Sequence, residues 1–262
     1  MDIHDEKLRL MSRELMAAEH DRVPIEPLSQ RYPSLSWKQA YAIQLHTVES
    51  KVRKGARVLG AKVGYTSVAT QRQFGVSEPV FGLLLDPGVN VDGGDVPYDR
   101  MISPRIEPEI ACVLKDDLRG PGATVADALG ALAGVMPAFE LVDSRFKHWR
   151  ANAIDMIADC VGGWGIVLAG CITPATEVDL RHVGMVLERN GTVVSTGAGA
   201  AALGNPADVL VWLANRLAGF GLGLSRGQVV ITGSLVRAEP VARGDCYRAQ
   251  FDHLGSVSAT FH

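Results

Sequence analysis

The chain has 262 residues, 47% of them apolar and 21% charged, and its 26 Lys and Arg against 29 Asp and Glu leave a formal net charge of −3. This composition supports a large buried core and excludes a mostly disordered chain. The weak negative charge and 6% aromatic content lack the basic stripe and stacking surface of a nucleic-acid binder; no window is apolar over the roughly 18 residues of a membrane span, and the charged start MDIHDEKLRL is unlike a signal peptide. The expectation is a cytoplasmic protein whose partner is a small molecule rather than nucleic acid or membrane.

Leu8, Met11, Leu15 and Ala18 recur three to four residues apart and predict a first helix. A second runs from Ser36, a good N-cap, through Ala40, Leu45, Val48 and Val52 to Gly55. Together they predict an N-terminal helical region, 1–56. Over 58–64 the period shortens to two, and frequent Gly and Pro divide the remainder, 57–262, into short strands within one structural unit. Thr124 caps a short helix over 125–132. Asn190-Gly191 supplies the positive φ values of a type I′ turn and predicts a hairpin. Asn205-Pro206 opens a helix over 207–217 that closes near Gly219 or Gly221. Residues 228–235 and 256–261 read as closing strands, with a turn at Gly244-Asp245.

Several motifs are absent. Cys112, Cys160, Cys171 and Cys246 show no CxxC or zinc-ligand spacing and read as reduced, mostly buried thiols. Ser144 and Ser234 lack a GxSxG elbow, and Gly197-Ala198-Gly199 lacks the strand–turn–helix context of a dinucleotide site, reading instead as a tight turn. His148 and His182 sit in no motif and are expected at the surface.

The chemistry concentrates in Pro104-Arg105-Ile106-Glu107-Pro108-Glu109-Ile110, an apolar strand carrying two acids two residues apart. Residues i and i+2 of a strand share a face, so Glu107 and Glu109 project together while Ile106, Ile110, Cys112 and Leu114 pack on the other side. Two neighbouring carboxylates on a half-buried face repel unless a positive charge lies between them, and a hard divalent cation needs oxygen ligands only. Glu140, in the apolar run 138–142, is the third ligand such a site requires. The competing reading is a solvated sheet face with the acids paired to Arg105 or Arg145. Lys62 lies among the small or apolar residues Val58, Gly60 and Gly64, opposite Leu59, Ala61 and Val63. It is read either as an anion-binding or proton-transferring lysine or, the more ordinary reading, as an edge-strand charge that discourages aggregation.

With these residues assembled, the chain resembles the 2-oxopent-4-enoate hydratase and 4-oxalocrotonate decarboxylase family of the fumarylacetoacetate hydrolase-like superfamily. The resemblance spans nearly the whole chain. It is carried by Gly60-Ala61-Lys62-Val63-Gly64-Tyr65-Thr66-Ser67, Gly75-Val76-Ser77-Glu78-Pro79-Val80-Phe81-Gly82, the Pro104 to Ile110 segment, Phe139 to Arg145, and Thr196 to Pro206. It implies an α+β fold with a curled mixed β-sheet roll behind a small helical region, and Mg²⁺ or Mn²⁺ on Glu107, Glu109 and Glu140. It also implies Lys62 and Glu78 as catalytic residues, and Thr66, Ser67, Arg105 and Ser234 as substrate-binding residues. A homo-oligomer is implied too, with a complex with a paralogous hydratase or decarboxylase as a further partner. The implied substrates are small unsaturated 2-oxo or 2-hydroxy acids from meta-cleavage of aromatic rings. The leading activity is hydration of a 2-hydroxy-2,4-dienoate to a 4-hydroxy-2-oxo acid. The alternative is decarboxylation of a 2-oxo-3-enedioate; an acylpyruvate C–C hydrolase, which needs a Glu–His pair, and an inactive partner subunit rank third. Two departures stand out. Val80 replaces the acid of the hydratase pattern. Cys160-Val161-Gly162 replaces Asn-Ala-Ser and is expected to strip polar groups from the site.

Overall fold

The apolar spacing at the start of the chain becomes a helical layer. In the computed structural model, which describes residues 3–262, α1 (Asp5–Asp21) buries Leu8, Met11, Leu15 and Ala18, and is followed by the single turn α2 (Leu28–Arg31). Helix α3 (Trp37–Arg53) opens on a reciprocal capping box between Ser36 and Gln39. Its buried stripe differs from the expected one: Tyr41, Gln44, Thr47 and Val48 face inward, Leu45 is half-buried and Val52 is exposed. Gln44 is tolerated there because its amide donates to the carbonyls of Phe81 and Ile157 at 3.1 and 2.8 Å.

The strands and remaining helices follow as β1 (Val58–Gly64), α4 (Val68–Phe74), β2 (Val80–Leu85), β3 (Val89–Val91), β4 (Asp95–Val96) and β5 (Arg105–Leu114). Next come α5 (Val125–Ala131), β6 (Leu132–Val142), α6 (Ala153–Ala158), β7 (Gly163–Leu168), β8 (Gly184–Arg189), β9 (Thr192–Ala198) and α7 (Pro206–Ala218). The chain closes with β10 (Val229–Ile231), β11 (Glu239–Pro240), β12 (Cys246–Phe251) and β13 (Gly255–Phe261). Among these, α4 and α6 have no counterpart in the sequence reading. Helix α4 buries no residue and α6 buries five of its six, so neither shows a two-sided period. The Asn190-Gly191 turn has the expected positive φ at both residues, 52° and 78°, and joins β8 to β9. Thr124 and Asn205 cap α5 and α7 as their types demand.

An open eight-stranded sheet has the order β2-β1-β10-β5-β6-β7-β3, with β11 beside β5, and an open five-stranded sheet has the order β4-β13-β12-β8-β9. Both are mixed, since β1 runs parallel to β10, β3 to β7 and β4 to β13 while the other pairings are antiparallel. Strands β12 and β13 pack on β6 and β7, and Phe139, Tyr247, Phe251 and Phe261 join the N-terminal helices in one continuous apolar core. Fold class therefore agrees with expectation: mixed sheets plus helices, with helices at the N-terminus. Among the described residues no helix is long and apolar enough to cross a membrane.

Three expectations fail locally. Gly197 and Ala198, expected in a tight turn, instead continue β9 in register with Met185 and Gly184. The strand expected over 228–235 stops at Ile231, because Gly233 turns the backbone to φ +101° and its N–H leaves the ladder for Glu109. The thiols are not mostly buried: Cys112 is buried and Cys160 partly so, whereas Cys171 and Cys246 are exposed.

Candidate metal centre and substrate cleft

Strand parity places the acids. Glu107 and Glu109 alternate with Ile106, Ile110 and Cys112, whose side chains enter the main core, so both carboxylates emerge on the opposite face of β5. The β5–β6 register sets Glu140 directly across from Glu107, and carboxylate oxygens of Glu107, Glu109 and Glu140 lie within 4.8 Å of one another. Glu109 is fixed by the Gly233 N–H, which donates to its Oε2 at 2.7 Å. Only glycine fits there, since a Cβ would lie 2.2 Å from Thr66 Oγ1.

Lys62 reaches the same point from β1. That strand is paired on both sides, by β2 and β10, so the edge-strand reading of Lys62 is overturned. The residue opposite it is Gly82, where a Cβ would lie 3.1 Å from Lys62 Cδ and 2.5 Å from the Cys160 carbonyl oxygen. Into this space Lys62 extends its stem. Its Nζ donates to the Val161 carbonyl at 2.9 Å and lies 2.7 Å from Glu140 Oε1. Lys62, Glu109 and Glu140 are only 3%, 1% and 0% exposed, while Glu107 opens to the cleft.

Burial pushes all three carboxyls above the usual range, Glu140 to about 7, and at Glu109 the charges of Glu140 and Glu107 add to the rise. Lys62 opposes the shift at each. Burial alone would lower the Lys62 ammonium, but Glu140 and then Glu107 outweigh it and hold the group above the usual lysine range. One ammonium thus faces three carboxylates, and Glu140 Oε2 is buried without a hydrogen-bond partner among the described residues. An all-oxygen donor set, excess negative charge and an orphaned acceptor fit a hard divalent cation.

A cleft of about 660 Å³ opens over this cluster, lined also by Thr66, Ser67, Arg105 and Ser234. Ser67 is partly committed, since its hydroxyl accepts the Thr70 N–H and caps α4, and Ser234 donates to the Val236 carbonyl. Arg105 does not pair with the acids: its guanidinium stacks 4.6 Å from the Trp149 ring centroid, and that indole donates to the Ser103 carbonyl. Arg145 is likewise removed, buried against Asp159 at 2.5 Å. Glu78 is not brought to the cleft. It lies outside the lining, with its carboxylate 3.5 Å from the Arg216 guanidinium.

The two departures take different places around the cleft. Val80 is fully buried opposite Gly64 and does not line the cleft. Val161 does, and a Cβ on Gly64 would lie 2.7 Å from Val161 and 3.5 Å from Val80, so both valines crowd Gly64 while Val161 alone forms the wall. Cys160 instead lines a separate cavity with Glu19 and Lys51, so its substitution removes no polar group from the acid cluster. Residues missed in the sequence are Tyr65, Trp149, Met156 and Arg237, all of which line the cleft. Only Tyr65 carried a signal, standing between Lys62 and Thr66 in the first motif. No histidine lines the cleft among the described residues, and His148 and His182 are exposed.

Comparison with known proteins agrees with this geometry. Residues 57–262 match the family described as fumarylacetoacetate (FAA) hydrolase C-terminal. The chain is 38% identical over 258 residues to a 2-oxo-hept-4-ene-1,7-dioate hydratase of Escherichia coli, covering 96% of this chain and 97% of that protein. It is 44% identical over 210 residues to a 2-hydroxypent-2,4-dienoate hydratase of Pseudomonas putida, covering 80% of this chain and 95% of that protein. A solved 4-oxalocrotonate decarboxylase from Pseudomonas putida G7, complexed with magnesium and adipate, superposes with a TM-score of 0.97 at 36% identity, covering 100% of this chain and 99% of that one. The matched span, the sequence identity of these relatives and the near-complete superposition place the chain in the fumarylacetoacetate hydrolase C-terminal family.

Proposed function

We propose that the protein is a divalent-metal-dependent lyase that hydrates a 2-hydroxy-2,4-dienoate to a 4-hydroxy-2-oxo acid in the meta-cleavage catabolism of aromatic compounds. The observation that carries the reading is the convergence of Glu107, Glu109, Glu140 and Lys62 on the floor of one cleft. The relatives named as hydratases of this substrate type support the branch.

Glu107, Glu109 and Glu140 would hold Mg²⁺ or Mn²⁺, and the cation supplies Lewis-acid stabilisation of negative charge on the 2-oxygen of the substrate. The protein's own part is orientation, charge and exclusion of water. Lys62, locked by the Val161 carbonyl and Glu140, stays protonated and favours a transition state in which the dienoate head gains negative charge. Thr66 and Arg105 line the rest of the cleft and are assigned to substrate binding, as are Ser67 and Ser234 through whatever hydrogen-bonding capacity their internal bonds leave. Val161, backed by Val80, keeps the wall beside Lys62 dry.

That dry wall favours a second reading, decarboxylation of a 2-oxo-3-enedioate, which needs no added water. Incubating the Mg²⁺-loaded protein with 2-hydroxypenta-2,4-dienoate and, separately, with 2-oxo-3-hexenedioate decides between them. A 4-hydroxy-2-oxo product from the first supports the hydratase; CO₂ from the second with no hydration of the first replaces it with the decarboxylase. Self-assembly is part of the proposal, supported by exposed Val186, Val193 and Val194 on β8 and the edge strand β9.

A further inference from the structure

Two buried polar groups around the cleft lack partners, and they are complementary. Glu140 Oε2 is an acceptor, accounted for by a cation. The other is a donor: the Tyr65 hydroxyl, on a residue only 9% exposed, which lines the cleft and has no hydrogen-bond partner among the described residues. A buried O–H without an acceptor is costly, and the fold spends further structure on keeping this one in place. Tyr65 has φ 58°, in the left-handed region that a bulky residue rarely adopts. Its carbonyl accepts a hydrogen bond from Gln71 Nε2 at 2.9 Å, and its ring stacks on Phe74 with centroids 4.7 Å apart. The next residue, Thr66, is packed against Gly233, whose N–H holds Glu109, so the Tyr65–Thr66 step sits at the acid end of the cleft.

An anionic head group entering that end meets few free donors. Lys62 has spent two of its three N–H donors on the Val161 carbonyl and Glu140, the Gly233 N–H is committed to Glu109, and Arg105, held face-on to Trp149, keeps its in-plane N–H groups for the same anion. We propose that Tyr65 is a substrate-binding residue whose hydroxyl donates a hydrogen bond to the carboxylate and 2-oxo head of the bound acid. This rests on the reading of the cleft as a 2-oxo acid site. The hydroxyl gains an acceptor only when ligand is present, so its contribution is absent from the stability of the empty protein.

The test is calorimetric titration of the Mg²⁺-loaded wild type and Tyr65→Phe with two inert ligands: oxalate, which has the head alone, and 2-oxopentanoate, which has head and tail. The expected result is an affinity about tenfold weaker or more for both ligands in the variant, the scale of a hydrogen bond to a charged group. Mg²⁺ affinity should be unchanged, and the melting temperature without ligand unchanged or higher. Equal affinities in the two proteins, or a loss confined to 2-oxopentanoate, overturn the assignment to the head group. A parallel loss of Mg²⁺ affinity overturns direct contact with the ligand. If the loaded wild type binds neither ligand, the 2-oxo acid reading itself falls, a result distinct from a wild type that binds while the variant binds equally well.

Discussion

Glu107 and Glu140 face each other as a directly paired couple across β5 and β6, two carboxylates on one sheet face with Glu109 beside them. Cross-strand like charges destabilise a sheet, and a divalent cation held between them would relieve the repulsion that the single Lys62 ammonium leaves. Glu107→Gln should therefore weaken Mg²⁺ binding severely and abolish turnover, while the metal-free protein melts at the same temperature or slightly higher because repulsion is relieved. Isothermal calorimetry together with thermal melts checks both halves; unchanged Mg²⁺ affinity removes Glu107 from the ligand set.

Lys62 is built into the fold through the Val161 carbonyl and Glu140, which the sequence did not suggest. Lys62→Met keeps the stem but leaves Glu140 without its ammonium and the Val161 carbonyl without its donor. Activity should fall by about 10²-fold or more, the scale for losing one preorganised electrostatic donor. The metal-free protein should also melt lower, since breaking a buried ion pair strands a charge. A normal rate in steady-state assays would end the catalytic assignment.

The pH response of the empty site has a definite sign. Burial raises Glu140 to about 7 from an ordinary 4.5, so the unfolded chain releases this proton before the folded one does. Its contribution to stability is complete below about 4.5 and is lost as pH rises through about 7. Melting temperatures in EDTA should thus drop between pH 5 and pH 8 by more in the wild type than in Glu140→Gln, and saturating Mg²⁺ should reverse much of that drop. Parallel curves for the two proteins would contradict the shift.

Val80→Asp probes the branch of the family chemistry. Position 80 is fully buried against Gly64 on the Lys62 face, so a carboxylate there is desolvated and the melting temperature should fall by several degrees. In the fraction that folds, the wall beside Val161 becomes polar and the ratio of hydration to decarboxylation should rise. Product analysis with both substrates checks this; an unchanged ratio places the control of branch elsewhere.

The two long N-terminal helices, the capped α5 and α7 and the Asn190-Gly191 hairpin were legible from local chemistry, because caps, turn residues and apolar period act over a few neighbours. Strand parity alone put Glu107 and Glu109 on one face, the apolar run 138–142 offered Glu140, the small neighbours of Lys62 offered it as an anion binder, and the resemblance strengthened both readings. Contacts distant in sequence lay beyond that reach. Register decided that Glu140 stands opposite Glu107, strand order made β1 an interior strand and so buried Lys62, and a positive-φ turn at Gly233 ended β10 early to hold Glu109. Glu78 illustrates the same limit: it is near Val80 in sequence, yet the fold turns it toward Arg216 and away from the cleft. Sequence determined which groups the protein possesses and which face of each strand they occupy, since those follow from bond geometry. Only the tertiary structure decided which of them meet and which stay unpartnered, because pairing register and burial are set by the packing of the whole chain.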